Sequence, residues 1–169
     1  MDKKLIIKAI RTAACIASLI FAITACSTMT KAEKAERDAR IAQAVEKALS
    51  ERHYSVEVNM MYPRRGRAVN ITPDYCLQVK GDTLMSYLPY FGRAYNVPYG
   101  GGKGLNFTAT IKDYRVTEGR KGDKRIDILV DNDEDIITYS LDVFSNGNTS
   151  IDVTSRNREP ISYSGRLVE

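Results

Sequence analysis

Residues 54–62 read Tyr54-Ser55-Val56-Glu57-Val58-Asn59-Met60-Met61-Tyr62. Tyr54, Val56, Val58, Met60 and Tyr62 alternate with Ser55, Glu57, Asn59 and Met61, and a period of two puts the two sets on opposite faces of an extended chain. The spacing predicts a half-buried strand. Immediately upstream the period is that of a helix: Ile41, Val45, Ala48 and Leu49 share one face, with Ala42 and Ala44 beside them. The change of period near His53 therefore marks a helix-to-strand junction. Farther upstream, Thr30-Lys31-Ala32-Glu33 has the spacing of a capping box, in which hydroxyl and carboxylate each satisfy the other's backbone donor. Glu33/Arg37 and Glu36/Arg40 then make i,i+4 pairs in the favourable order. A helix over 30–52 follows, its first half with little to bury and its second half able to dock on a sheet, part stalk and part lid. One apolar cluster is too short a seam for a coiled coil.

Downstream, every segment reads as short antiparallel strands. Taking Pro63-Arg64-Arg65-Gly66 as a turn pairs Met60 with Val69 and Val58 with Ile71. Gly81-Asp82 as a two-residue loop pairs Val79 with Leu84 and sends Cys76 to the other face, near Tyr87. At Ser145-Asn146-Gly147 a two-residue turn would set Leu141 against Asp152. A three-residue loop with Gly147 in the left-handed position instead pairs Leu141 with Ile151, Tyr139 with Val153 and Val143 with Thr149. A long strand from about Leu105 to Val116 changes apolar phase, which predicts a bulge near Lys112-Asp113. Further strands cover about Arg125 to Val130 and Ile161 to Leu167. The expected fold class is α+β, an N-terminal helix followed by an eight- to nine-stranded antiparallel β meander over 54–169. Curved sheet, sandwich and open barrel all satisfy the pattern.

The N-terminus carries an address. Lys3, Lys4, Lys8 and Arg11 precede an apolar run from Ala13 to Ile23, which is shorter than the roughly 20 residues of a membrane span and has the layout of a signal peptide. Ile23-Thr24-Ala25-Cys26 resembles the bacterial lipobox, so residues 1–25 are expected to be removed and Cys26 to carry lipid such as palmitate, with 26–29 as a tether. Removal takes four basic residues and Asp2, and a net charge of +4 falls to +1. The basicity belongs mostly to the signal, and a nucleic-acid field is not supported. Of the three cysteines only Cys76 remains in the folded part, and it is expected to be a buried thiol in an oxidising compartment.

One stretch stands apart. Tyr87 to Gly104 holds four tyrosines, one phenylalanine, two prolines and five glycines, the composition of a long functional loop. The candidate residues for a ligand or partner are Tyr87, Tyr90, Phe91, Arg93, Tyr95, Tyr99 and Lys103, acting as an aromatic flap over a groove. A structural reading in which the aromatics cover an open end of the sheet competes with it. Gly100–Gly104 lacks the Ser or Thr and the strand-loop-helix setting of a phosphate loop. The acidic run Asp131–Asp135 lacks the glycine and distal glutamate of a calcium loop. Arg64, Arg65 and Arg67, with Arg156 and Arg158, suit anionic headgroups or glycans if the fold gathers them. Tryptophan, the commonest sugar platform, is absent. No Ser–His–Asp set, HExxH or CxxC occurs, and His53 is the single histidine. No catalytic residue, metal or cofactor is expected, and the chain reads as a non-enzyme.

Tyr87-Leu-Pro-Tyr-Phe-Gly-Arg-Ala-Tyr, Pro98-Tyr-Gly-Gly-Gly-Lys-Gly-Leu-Asn-Phe, Phe144-Ser-Asn-Gly-Asn and Ile161-Ser-Tyr-Ser-Gly165 together resemble the domain of unknown function 4251 family, lipoprotein-like proteins of Bacteroidota. The resemblance spans about Tyr54 to Glu169. It implies a cell-envelope protein and no activity. Surface lipoproteins of that phylum resemble one another in acidic residues directly after the lipidated cysteine, and Ser27-Thr28-Met29-Thr30-Lys31 departs from that. The implied location is the outer membrane facing the periplasm, with surface exposure left open. The expected role is a lipid-anchored binding or assembly module, attached to the membrane through Cys26 and recognising a protein, glycan or lipid through the 87–104 loop. The alternative is a carrier of a lipid-like ligand in a cavity lined by Val56, Val58, Leu77, Ile111 and Leu141.

Overall fold

The computed structural model describes residues 30–72, 74–96, 102–119 and 123–168. The expected signal peptide, the 26–29 tether, Cys26 and Tyr99 lie outside the described residues. Residues up to Arg37 and residues from Asp38 onward form two units. In the first, the capping box is made reciprocally. The Thr30 amide donates to Glu33 Oε2 at 2.8 Å and the Glu33 amide donates to Thr30 Oγ1 at 3.3 Å. That bond to the Thr30 amide is also what lowers the Glu33 carboxyl below the usual range. It starts helix α1, Lys31–Glu51.

The second unit contains the rest of α1 and nine strands: β1 (His53–Pro63), β2 (Val69–Asn70), β3 (Cys76–Lys80), β4 (Thr83–Leu88), β5 (Leu105–Glu118), β6 (Lys124–Asp131), β7 (Ile136–Val143), β8 (Asn148–Ser155) and β9 (Ile161–Val168). All neighbours are antiparallel, and because β1 pairs with β9 as well as β3, eight strands close into a barrel with β2 appended to β1. Closure is what the sequence pattern left undecided. It runs along the β1–β9 pairs from Ser55–Val168 to Pro63–Ile161, and at one of them, Val58–Gly165, a Cβ on Gly165 would overlap the Glu57 carbonyl oxygen. Only glycine allows the two backbones to meet there.

Where loop chemistry and alternation agreed, the registers are those expected: Val79–Leu84, Cys76–Tyr87, Leu141–Ile151, Tyr139–Val153 and Val143–Thr149. Gly147 takes φ +83° and donates to the Phe144 carbonyl at 2.9 Å. The β5 bulge falls between Ile111 and Asp113. The β1–β2 hairpin differs from expectation by one residue, with Met60 opposite Asn70 and Met61 opposite Val69. A bulge between Val58 and Met60 shifts the phase, so Met61 points inward and is buried while Tyr62 is exposed. Cys76 is half-buried on the outer wall rather than buried.

An eight-stranded barrel is just wide enough for side chains to fill it. The interior is filled. Val56, Val58, Leu77 and Leu141 have no accessible area, so no void large enough for a water adjoins them, and Ile111 packs half-buried against the same core. The residues expected to line a ligand cavity belong instead to the packed core, with Val56 paired directly to Leu77. Three tyrosines share the interior, each with its hydroxyl bonded. Tyr139 donates to Ser86 Oγ at 3.0 Å and Ser86 to the Leu105 carbonyl at 2.7 Å. Tyr163 donates to the Pro89 carbonyl at 2.7 Å, and Tyr54 meets the Tyr114 hydroxyl at 3.1 Å. Such bonds offset the cost of burying a polar atom.

The strand registers assign two ends to the barrel. At the His53 end, the 38–51 part of α1 places Val45, Ala48 and Leu49 in the core, and Glu46 lies 3.9 Å from Lys124. The other end gathers the β1–β2 turn, the β4–β5 loop, the β6–β7 turn and the β8–β9 loop.

Candidate functional site

Leu88 and Leu105 are paired, so the chain leaves β4 and enters β5 at adjacent points after the excursion 89–104. Its first part is pinned to the β8–β9 loop. The Tyr95 amide donates to the Asn157 carbonyl at 2.7 Å, the Glu159 amide donates to the Arg93 carbonyl at 2.9 Å, and Ala94 bridges Arg158. Tyr90 turns toward the barrel mouth. Its hydroxyl lies 3.0 Å from the carbonyls of both Arg93 and Glu159, the Arg158 guanidinium sits 5.5 Å over its ring, and burial raises its pKa. At the far side of the loop, the Lys103 amide donates to Glu134 Oε2 at 2.9 Å and its ammonium reaches the Asn132 carbonyl at 3.5 Å.

The sequence candidates therefore part company. Tyr90 does the covering. Phe91 and Tyr95 do not: they are 63% and 68% exposed, the most exposed large apolar side chains among the described residues. Arg93 is exposed between them. Tyr87 belongs to β4 rather than to the loop, on the outer wall, stacked on Tyr75 with ring centroids 5.1 Å apart. Lys103 serves the acidic turn.

Glu159 is a residue that sequence reasoning missed. Its buried carboxylate accepts the Arg93 amide at 3.3 Å and lies 3.6 Å from Arg65 Nε, tying the β1–β2 turn, the β4–β5 loop and the β8–β9 loop together. No local pattern announces a link between positions so far apart. The acidic turn, by contrast, is occupied with its own backbone. Asn132 Oδ1 accepts the amides of Glu134 and Asp135, and the Asp135 carboxylate accepts those of Arg156 and Asn157. Among the described residues no three His, Cys, Asp or Glu side chains are grouped to hold a metal.

A closed antiparallel barrel with a helix at one end and an aromatic loop strapped across the other defines an α+β architecture and no reaction. The chain belongs to the family described as Domain of unknown function (DUF4251), whose model matches residues 36–167. Among solved structures it is similar to a DUF4251 family protein from Bacteroides eggerthii DSM 20697, with 18% identity and a TM-score of 0.60, over 79% of this chain and 90% of that one. At that identity the likeness is one of fold. No curated protein matches.

Proposed function

We propose that this protein is a lipid-anchored, non-enzymatic binding or assembly module of the cell envelope. Its lipid is carried on Cys26 at the outer membrane, facing the periplasm, and its recognition edge is the loop after β4. The observation that carries the reading is the exposure of Phe91 and Tyr95 on a backbone held by hydrogen bonds to a neighbouring loop. A loop serving only as a cover would turn its aromatic rings inward, as Tyr90 does. Fixed backbone lowers the ordering cost of binding, and large aromatic tips supply contact area at little rotamer cost. The filled interior argues for a surface-acting protein over a carrier.

Two measurements test the proposal. A clickable palmitate analogue fed to cells should label the wild-type chain in the outer-membrane fraction and not the Cys26→Ala variant; equal labelling would remove the anchor. The Phe91→Ser/Tyr95→Ser variant should melt with the wild type but lose the partners that co-purify with it from its own envelope. Unchanged co-purification would remove the loop.

A further inference from the structure

The fold gathers arginines that the sequence scatters. Arg64, Arg65 and Arg67 occupy the turn after Pro63, and Pro63 pairs with Ile161 across the barrel seam, which brings Arg158 to the same side of the mouth. The β4–β5 loop lays Arg93 across them through the Ala94–Arg158 bridge. Glu159 holds Arg65, and it is the only carboxylate among the described residues at ion-pair distance from any of the five. The turn 63–70 holds three arginines and no acidic residue, so this sector of the mouth is positive. The acidic β6–β7 turn abuts the β8–β9 loop, where Asp135 accepts the amides of Arg156 and Asn157, while the β1–β2 turn stands farther round the mouth, with two strands between β1 and β7 in one direction and three between β1 and β6 in the other.

The same sector carries the exposed apolar side chains. Phe91 and Tyr95 flank Arg93, and Tyr62 and Val69, each 42% exposed, flank the arginine turn. Aromatic rings among basic side chains have the chemistry of a membrane–water interface, where rings settle at headgroup depth and cations are drawn to anionic lipid. Guanidinium groups match phosphate oxygens with paired N–H donors. Building on the reading of this loop as the recognition edge, we infer that the arginine-rich sector of the barrel mouth docks on an anionic phospholipid surface, with Phe91 and Tyr95 inserted among the headgroups. Acidic glycans would satisfy the guanidinium groups equally, but the chain lacks tryptophan, the commonest sugar platform, and the purely apolar exposed ring of Phe91 favours lipid.

The absence of tryptophan makes the test site-specific. In the full chain, Phe91→Trp is the sole indole, and its emission reports the surroundings of that one position whatever the N-terminal segment does. Adding phosphatidylcholine vesicles that contain phosphatidylglycerol should shift the emission to the blue, and vesicles of phosphatidylcholine alone should not. Added salt should reverse the shift. Arg64→Ala with Arg67→Ala, both in an exposed turn, should raise the lipid concentration needed by roughly fivefold for each arginine removed. An emission unchanged by anionic vesicles, or shifted equally by neutral ones, would overturn the inference. A shift caused by heparin and not by vesicles would overturn it in favour of an acidic polysaccharide. If the vesicles fail while Phe91 and Tyr95 still govern co-purification of a partner, the lipid assignment falls and the binding-module reading stands.

Discussion

A methyl group at position 165 has nowhere to go, because the Glu57 carbonyl of the neighbouring strand already fills the space. A side chain there would push β9 off β1 at one point of the seam that closes the barrel. Gly165→Val is expected to lower the urea midpoint, with a loss of unfolding free energy at the upper end of the about 1–3 kcal/mol range of overpacking, or more. A variant with the wild-type midpoint would mean that the seam is looser than the Val58–Gly165 pairing implies. Glu159 makes a related case at the other end of β9. Its carboxylate is buried and relies on the Arg93 amide and Arg65, so neutral Gln at 159 keeps the shape and loses the charge that holds Arg65. Neither residue was legible in advance. Gly165 looks like any small residue in a strand, and the partners of Glu159 lie in two distant turns.

Among the elements, the hairpins β3–β4 and β7–β8 were legible because turn residues and apolar alternation point to the same register. The β1–β2 hairpin was not, since a bulge at Asn59 moves the inward position from Met60 to Met61 and nothing in the local pattern announces it. The loop after β4 was found by composition alone, but composition could not divide its aromatics into an inward Tyr90 and an outward Phe91 and Tyr95. That division depends on the β8–β9 loop. The lid half of α1 was visible in its 3.6-residue stripe, and its weight can be measured. Leu49, only 6% exposed in the core, should cost about 2–5 kcal/mol when cut to alanine. A loss under 1 kcal/mol in equilibrium urea unfolding, at the scale of an exposed-site substitution, would show that the helix does not seal the barrel end.

For the molecule as a whole, the barrel resists ionising its three interior tyrosines and the half-buried Tyr114. Burial first of all raises the pKa of Tyr54, Tyr114, Tyr139 and Tyr163 above the ordinary 10.0. The unfolded chain ionises these groups near that ordinary value, whereas the folded chain resists. Their contribution to stability is therefore complete below pH about 10 and is lost as the pH rises from there through the higher folded values. Phenolate absorbance of these four should rise together with loss of the β circular-dichroism signal; ionisation within an intact barrel would contradict the packing described. Barrel closure itself lay beyond the sequence, because the β1–β9 pairing joins segments about a hundred residues apart and has no local signature. A filled barrel places recognition on its outside, and the central claim is that recognition belongs to the aromatic tips of the strapped loop. A photoreactive side chain placed singly at Phe91, Tyr95, Met85 or Val116 in living cells tests this most directly, since all four positions are exposed. The account predicts a discrete protein or lipid adduct from Phe91 and Tyr95 and none from Met85 or Val116, whereas equal adducts from all four, or adducts only from the last two, would contradict it.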